Sequence, residues 1–180
     1  VSLVLGGSAG QGIQTVEEML MTILKGEGYH VFASKEYMSR IRGGSNSTEI
    51  RITSKKRRAY VKHIDFLFAL DKDVVPHLEY RINSKTLIFG ELRKIGLEKG
   101  KNAFDIPFTT FTNELGNPIF ASTIAVGVAL GILDAPFADF QTYLEQHFAR
   151  KGPEVVQKNI KAAELGYNHG RHLAYDAGIE

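Results

Sequence analysis

Two hydrophobic periods alternate along this chain. Residues 1–5 form a short apolar, β-branched run that stops at Gly6-Gly7 and predicts a buried strand. From residue 12 to about residue 26, Ile13, Val16, Met19, Leu20, Ile23 and Leu24 recur three and four apart. That spacing predicts an amphipathic helix, ended by Gly26 and Gly28. Residues 29–34 read as a second strand and 37–42 as a short turn or helix before Gly43-Gly44. Residues 46–52 alternate as a half-buried strand does, and 59–61 suit another short one. The run 64–70 (IDFLFAL) is nearly all apolar, as in a central strand covered on both faces. A helix is expected over 74–82, a buried strand over 86–89 and a less regular stretch over 90–117. Three helices follow, over 119–133, 137–148 and 154–167. The first carries small residues at Ala125, Gly127, Ala129 and Gly131, which allow close helix packing.

Alternating strands and helices imply an α/β fold, a three-layer α/β/α sandwich. The hairpin-like stretch over 45–62 makes its sheet mixed, though largely parallel. The 180 residues are expected to form one domain, 1–180, of ordinary size. The chain starts at Val1 without Met, so its first residues are expected to be missing, and a separate subunit and a piece of a longer one both stay open.

Composition narrows the chemistry. With 43% hydrophobic and 23% charged residues the chain is globular in character. It contains no Cys, which excludes a disulfide framework and a Cys-held iron–sulfur cluster within it. No apolar run approaches the roughly 20 residues of a spanning helix, and the residues from Val1 on do not read as a basic-plus-apolar signal peptide, so a cytoplasmic location is expected. The net charge of +2 conceals an asymmetry. Nine of the 22 basic and two of the 20 acidic side chains lie between Lys35 and Lys62, which gives that segment +7 and leaves −5 elsewhere. Such a concentration suits a local anionic partner. For Lys55-Lys56-Arg57-Arg58 the plainer alternative is a solvated hairpin tip.

The loop Gly6-Gly7-Ser8-Ala9-Gly10-Gln11-Gly12 joins the first strand to the first helix. Its glycines permit a tight turn and close approach to a ligand. The free N–H groups and dipole of the helix start favour an anion, usually a phosphate. The spacing is neither G-x-G-x-x-G nor a Walker A loop, and a purely structural turn is the alternative. An acidic ribose ligand about 20 residues on would fall near Glu36, but Lys35 beside it favours a phosphate.

The densest polar constellation runs from Lys35 to Asn46. Arg40 and Arg42 offer planar forks for phosphate or carboxylate. Gly43-Gly44 allows backbone amides to form an anion-holding concavity. The bland alternative is a surface turn whose arginines pair with Glu36 or Glu49. The Gly7–Ile13 stretch GSAGQGI, followed by EYMSRIRGGSNS over 36–47, resembles the gamma domain of 2-oxoacid:ferredoxin oxidoreductases. Glu49-Ile50-Arg51-Ile52, the run DFLFALD over 65–71, residues 121–132, Lys158-Asn159, Ala162, Ala163, Gly166 and Tyr167 extend the likeness over the whole chain. It is strongest to the N-terminal part of the fused alpha subunit. Ala9 departs from the Gly common there.

What the resemblance implies is part of a multi-subunit enzyme that oxidatively decarboxylates a 2-oxoacid with coenzyme A, giving acyl-CoA, CO2 and reduced ferredoxin. Thiamine diphosphate and iron–sulfur clusters are then expected in thiamine-binding and ferredoxin-like partner domains, with ferredoxin as acceptor and no nucleic acid or membrane partner. This domain is expected to be inactive alone and to serve coenzyme A binding and assembly. Gly7, Ser8, Ala9, Gly10, Gln11, Gly12, Lys35, Arg40, Arg42, Gly43 and Gly44 are the expected coenzyme A ligands, and no catalytic residue or metal site is expected. 2-Oxoglutarate is the first choice of 2-oxoacid, ahead of pyruvate and branched-chain acids. A nucleotide-binding regulatory module and a purely structural assembly module are the competing functions.

Other groups carry weaker signals. His169 and His172 with Asp176 share a helix face, but two His make a solvated face a better reading than a metal site. Asp71, Asp73 and His77 follow a buried strand, where α/β ligands bind; helix capping by Asp71 or Asp73 is the favoured alternative.

Overall fold

The structure, a computed structural model, describes residues 1–8, 12–37, 45–55 and 62–179, and the side chains of all these but 36, 37 and 45. The chain divides into two compact units, Val1–Pro107 and Phe108–Glu180.

The first unit is built on strands β1 (Ser2–Ser8), β2 (His30–Tyr37), β3 (Ser45–Thr53), β4 (Phe66–Ala69), β5 (Leu87–Gly90) and β6 (Ala103–Asp105). They form a six-stranded sheet in the order β2-β3-β1-β4-β5-β6. β1, β4, β5 and β6 pair in parallel, whereas β3 runs antiparallel to both β1 and β2. The sheet is therefore mixed and largely parallel, as the sequence implies.

Period-two alternation divides the strand residues between two faces. Leu3, Leu5, Thr48, Ile50, Phe66, Phe68, Phe89 and Phe104 share one face by register. Helix α1 (Ile13–Gly26) lies on that face, as a hydrogen bond from Thr48 to Glu17 of the helix shows. The phenyl rings continue it as a ladder, with Phe89 5.2 Å from Phe68 and 5.4 Å from Phe104. On the other face Val4, Leu67 and Ala69 pack with Val74 and Leu78, and with Leu92 and Ile95 of helix α3 (Leu92–Ile95). Val74 opens helix α2 (Val74–His77). Both faces of the sheet are thus covered by helices, which is the three-layer α/β arrangement.

Three expectations need correction. The helix over 74–82 is one α turn followed by a 3-10 turn, Glu79–Arg81. Pro76 is tolerated only because it falls in the first turn, where its missing N–H has no helical partner. The stretch over 90–117 is more regular than its scattered glycines suggest. It contains α3, β6 and helix α4 (Phe108–Leu115). Asp105 of β6 accepts the Leu92 N–H at 2.8 Å and so starts α3 from a neighbouring strand. The last helix does not stop at residue 167 but runs Pro153–Ala177 and ends at Gly178 in the left-handed region, φ 65°. The turn or short helix predicted for 37–42 begins on Tyr37, which continues β2, and otherwise lies outside the described residues, as does the strand predicted for 59–61.

The second unit is helical: α4, α5 (Ala121–Ile132), α6 (Phe137–Phe148) and α7 (Pro153–Ala177). Residues 123–132 of α5 are buried without a break. Gly127 and Gly131 of α5 meet α7, and Gly166 and Gly170 of α7 meet α5, all against backbone atoms. Interior glycines that would weaken a lone helix thus become the surface on which two helices approach. Asn159 is buried in the same contact, accepting the Thr123 hydroxyl at 2.9 Å and donating to the Val155 carbonyl. The Tyr167 hydroxyl donates to the Ala135 carbonyl at 2.7 Å.

Candidate functional site

β1 separates two connection directions: the chain leaves it for α1 and β2 on one side, while its parallel neighbour β4 lies on the other. The crevice at the carboxyl ends of strands where direction switches is where open α/β sheets bind ligands. Strand register brings both signature segments there. Ser8 pairs with Ser45, and Asn46 pairs with both Gly7 and Tyr37. The chain therefore enters the 9–11 stretch from Ser8, and leaves Tyr37 and re-enters at Ser45, along one edge of the sheet. Ala9, Gly10, Gln11, Arg40, Arg42, Gly43 and Gly44 themselves lie outside the described residues.

The described part of the loop has defined chemistry. Gly12 occupies the N-cap position of α1 at φ 76° and ψ 15°, a left-handed conformation that Gly adopts without cost. No side chain among the described residues caps that helix start, and its first turn holds no acidic residue. Its leading N–H groups suit an anionic acceptor. Ser8 donates its hydroxyl to Asp71 Oδ2 at 2.5 Å, across the gap between β1 and β4. Asp71 Oδ1 accepts the Asp73 N–H at 3.0 Å. Asp71 thus fixes the turn after β4 through the N–H two residues on, rather than capping α2 with its side chain. Asp73 holds the N-cap position of α2 without a side-chain cap bond. His77 ends α2, with Nε2 buried and unpartnered among the described residues.

Lys35, an expected phosphate ligand, has a protein partner. Its Nζ stands 3.4 Å from Glu17 Oε2, and the Thr48 hydroxyl donates to the same oxygen at 3.2 Å. Glu17 is buried in α1, one turn below Gly12, and sequence reasoning missed it. Its signal is a charged residue beside Val16 on the apolar stripe of the helix. Glu49 was missed as well. Expected on the surface, it is buried and pairs with Arg81 at 2.6 Å, while Ser2 donates to its other oxygen at 2.8 Å.

Among the described residues the basic side chains of the 35–62 stretch are spread along the sheet. Lys35 is level with Thr48 and with Leu5, midway along β1. Lys55 follows Thr53, whose register partner His30 begins β2, and Lys62 precedes β4 towards the amino end of β1. Five residue steps of β3 separate Thr48 from Thr53, about 17 Å. Residues 56–61 lie outside the described residues. His169 meets the Phe111 ring edge-on at 5.5 Å, and among the described residues no group of three or more His, Asp or Glu could hold a metal ion.

Residues 2–169 match the model of the family described as pyruvate ferredoxin/flavodoxin oxidoreductase. This chain belongs to that family. Among oxidoreductases of this family it is similar to the 2-oxoglutarate synthase subunit KorC of Archaeoglobus fulgidus, with 22% identity over 175 residues, 96% of this chain and 89% of that one. It is also 32% identical over 75 residues to the 2-oxoacid:ferredoxin oxidoreductase subunit alpha of a Sulfolobus species, 42% of this chain but 12% of that subunit. The oxidoreductase fold is shared with two solved structures. The 2-oxoglutarate:ferredoxin oxidoreductase of Magnetococcus marinus superposes with a TM-score of 0.84 at 19% identity, over 96% of this chain and 31% of that one. The gamma subunit of the keto/oxoacid ferredoxin oxidoreductase of Geobacter sulfurreducens gives 0.74 at 18%, over 95% and 98%. This family member holds no Cys with which to ligate an iron–sulfur cluster of its own.

Proposed function

We propose that this chain is the gamma domain or subunit of a cytoplasmic 2-oxoacid:ferredoxin oxidoreductase. It acts only when assembled with thiamine-binding and ferredoxin-like partners, and its glycine loop and arginine segment hold the phosphates of coenzyme A. The observation that carries this reading is the strand register, with Ser8 opposite Ser45 and Asn46 between Gly7 and Tyr37. Two segments distant in sequence share one edge at the switch point, one of them leading into an uncapped helix start. Amides at that start, together with the guanidinium forks of Arg40 and Arg42, match the charge and geometry of phosphates.

The oxidation itself needs groups this chain does not supply, so thiamine diphosphate and iron–sulfur clusters belong to the partners, and ferredoxin takes the electrons. Of the 2-oxoacids, 2-oxoglutarate is preferred. The Archaeoglobus relative is named a 2-oxoglutarate synthase subunit, and the Magnetococcus structure is described with 2-oxoglutarate, coenzyme A and succinyl-CoA bound.

The test is made on the assembled complex. Coenzyme A should protect the wild-type complex against arginine modification, and a variant carrying Arg40→Ala and Arg42→Ala should lose that protection, with a raised KM for coenzyme A and an unchanged KM for the 2-oxoacid. Full protection in the variant would leave the segment with an assembly role only.

A further inference from the structure

We infer that the buried Glu49–Arg81 ion pair sets the register of β3, and thereby the pairing of Ser45 with Ser8 at the carboxyl edge of β1; its bearing on coenzyme A rests on the function proposed above. Arg81 Nη2 lies 2.6 Å from Glu49 Oε2, and the two side chains are 10% and 6% exposed. Ser2 of β1 donates to Glu49 Oε1 at 2.8 Å. The Arg81 carbonyl accepts the Ile64 N–H at 3.2 Å, so the guanidinium is carried on backbone tied to the start of β4. One carboxylate of β3 is thereby held from β1 and from the turn after α2 together.

The apolar pattern of β3 does not enforce its register alone. A shift by one residue would turn every side chain to the wrong face and is excluded. A shift by two keeps the faces. Slid towards the carboxyl edge of β1, Ile50 would take the place of Thr48, Ile52 that of Ile50 and Ser54 that of Ile52, so one buried apolar side chain is exchanged for Ser. The polar face discriminates far more sharply. The same slide brings Arg51 to the place of Glu49, which sets two guanidiniums together and leaves Ser2 without its acceptor. The opposite slide brings Ser47 there and takes the Glu49 carboxylate away from Arg81. A buried charge without its partner costs far more than the pair contributes, and register is the best-attested use of such pairs. A two-residue slip would carry Ser45 about 7 Å past Ser8, out of line with the glycine loop.

The experiment compares the wild-type complex with the double variant Glu49→Leu, Arg81→Met and with the single variants Arg81→Lys and Arg81→Met. The double variant should melt above the single variant Arg81→Met, which leaves one charge unpaired, because apolar groups replace both charges, but below wild type, because the buried Ser2 hydroxyl loses its acceptor. Amides of residues 45–53 should exchange about tenfold faster, and the KM for coenzyme A should rise by a similar factor, while the KM for the 2-oxoacid stays in place. Arg81→Lys, which keeps a cation on Glu49, should retain slow exchange where Arg81→Met loses it. Wild-type exchange in the double variant overturns the inference. So does equal exchange in Arg81→Lys and Arg81→Met, a comparison that stands even if the double variant does not fold. Exchange needs no coenzyme A. If Arg40→Ala with Arg42→Ala leaves the coenzyme A KM unchanged, the coenzyme reading falls while register control is still decided by exchange. If that pair of substitutions raises the KM and the double variant does not, the coenzyme reading stands and the link from register to coenzyme A is lost.

Discussion

Replacing Gly166 by Ala tests whether α5 and α7 touch as closely as the fold requires. A Cβ at Gly166 would stand 2.3 Å from the Ile124 carbonyl oxygen, 3.0 Å from its carbon and 3.1 Å from the Ile124 Cα. These are backbone atoms of a helix, so no side chain can swing aside. Two opposing contributions decide the sign. Ala is favoured over Gly in a helix interior by about 1 kcal/mol. Against it stands an overlap that only separation of the two helices relieves, and that separation loosens the contacts at Gly127, Gly131 and Gly170 as well. Overpacking of this kind costs about 1–3 kcal/mol, occasionally more, and backbone against backbone belongs at the upper end. The expected result is a net loss of about 1–2 kcal/mol and a melting temperature lower by about 2–8 °C for a chain of this size. Urea unfolding followed by far-ultraviolet circular dichroism measures it. Gly26→Ala is the control, because Gly26 ends α1 with nothing within 4 Å of an added Cβ. If Gly166→Ala raised the unfolding midpoint by the propensity gain alone, the close approach of α5 and α7 would be refuted.

Asn159→Ala removes the acceptor of the buried Thr123 hydroxyl and should cost about 1–3 kcal/mol in the same assay; Asn159→Ala with Thr123→Val should recover part of that loss. Gly12→Ala puts a Cβ on a residue at φ 76° and should destabilise by about 1–2 kcal/mol, with Gly12→Asn milder. Burial raises the pKa of Tyr167 above the ordinary tyrosine value. For this neutral acid the sign follows directly: the folded state favours the protonated hydroxyl, so its contribution is complete below about pH 10 and is lost as pH rises through the higher folded value. Ultraviolet titration should show Tyr167 ionising late, and Tyr167→Phe should reduce the late-ionising amplitude by one tyrosine. Arg81→Ala, which strands Glu49 without its cation, should cost about 3–5 kcal/mol by denaturant unfolding, more than any of these.

The sequence by itself determined the elements whose periodicity is local. The apolar stripe of α1 places its core residues on one side whatever packs there. The run through Phe66–Ala69 is apolar on both faces and reads as a central strand. Helix α6 was expected over the same residues it occupies, because Phe140 and Leu144 repeat on one face. The motif segments around Gly7 and Arg40 could likewise be singled out before any fold was known, by their paired resemblance to one family, with a structural turn as the alternative for each. Only the tertiary structure decided the rest, and the common reason is that the deciding contact is long-range. The last helix is expected to stop at residue 167, yet α7 continues through Gly170, because α5 packs against Gly166 and Gly170. The short α3 needs Asp105 from another strand to begin. Glu49 reads as a surface charge, yet it is buried because Arg81, 32 residues away, meets it. Lys35 and Lys55 belong to one basic stretch of the sequence, but β3 runs antiparallel to β1 and β2 and carries the chain from the level of Lys35 at Thr48 to Thr53, past the amino end of β1, before Lys55. Composition records how many charges a chain has, while strand direction determines which of them can act together.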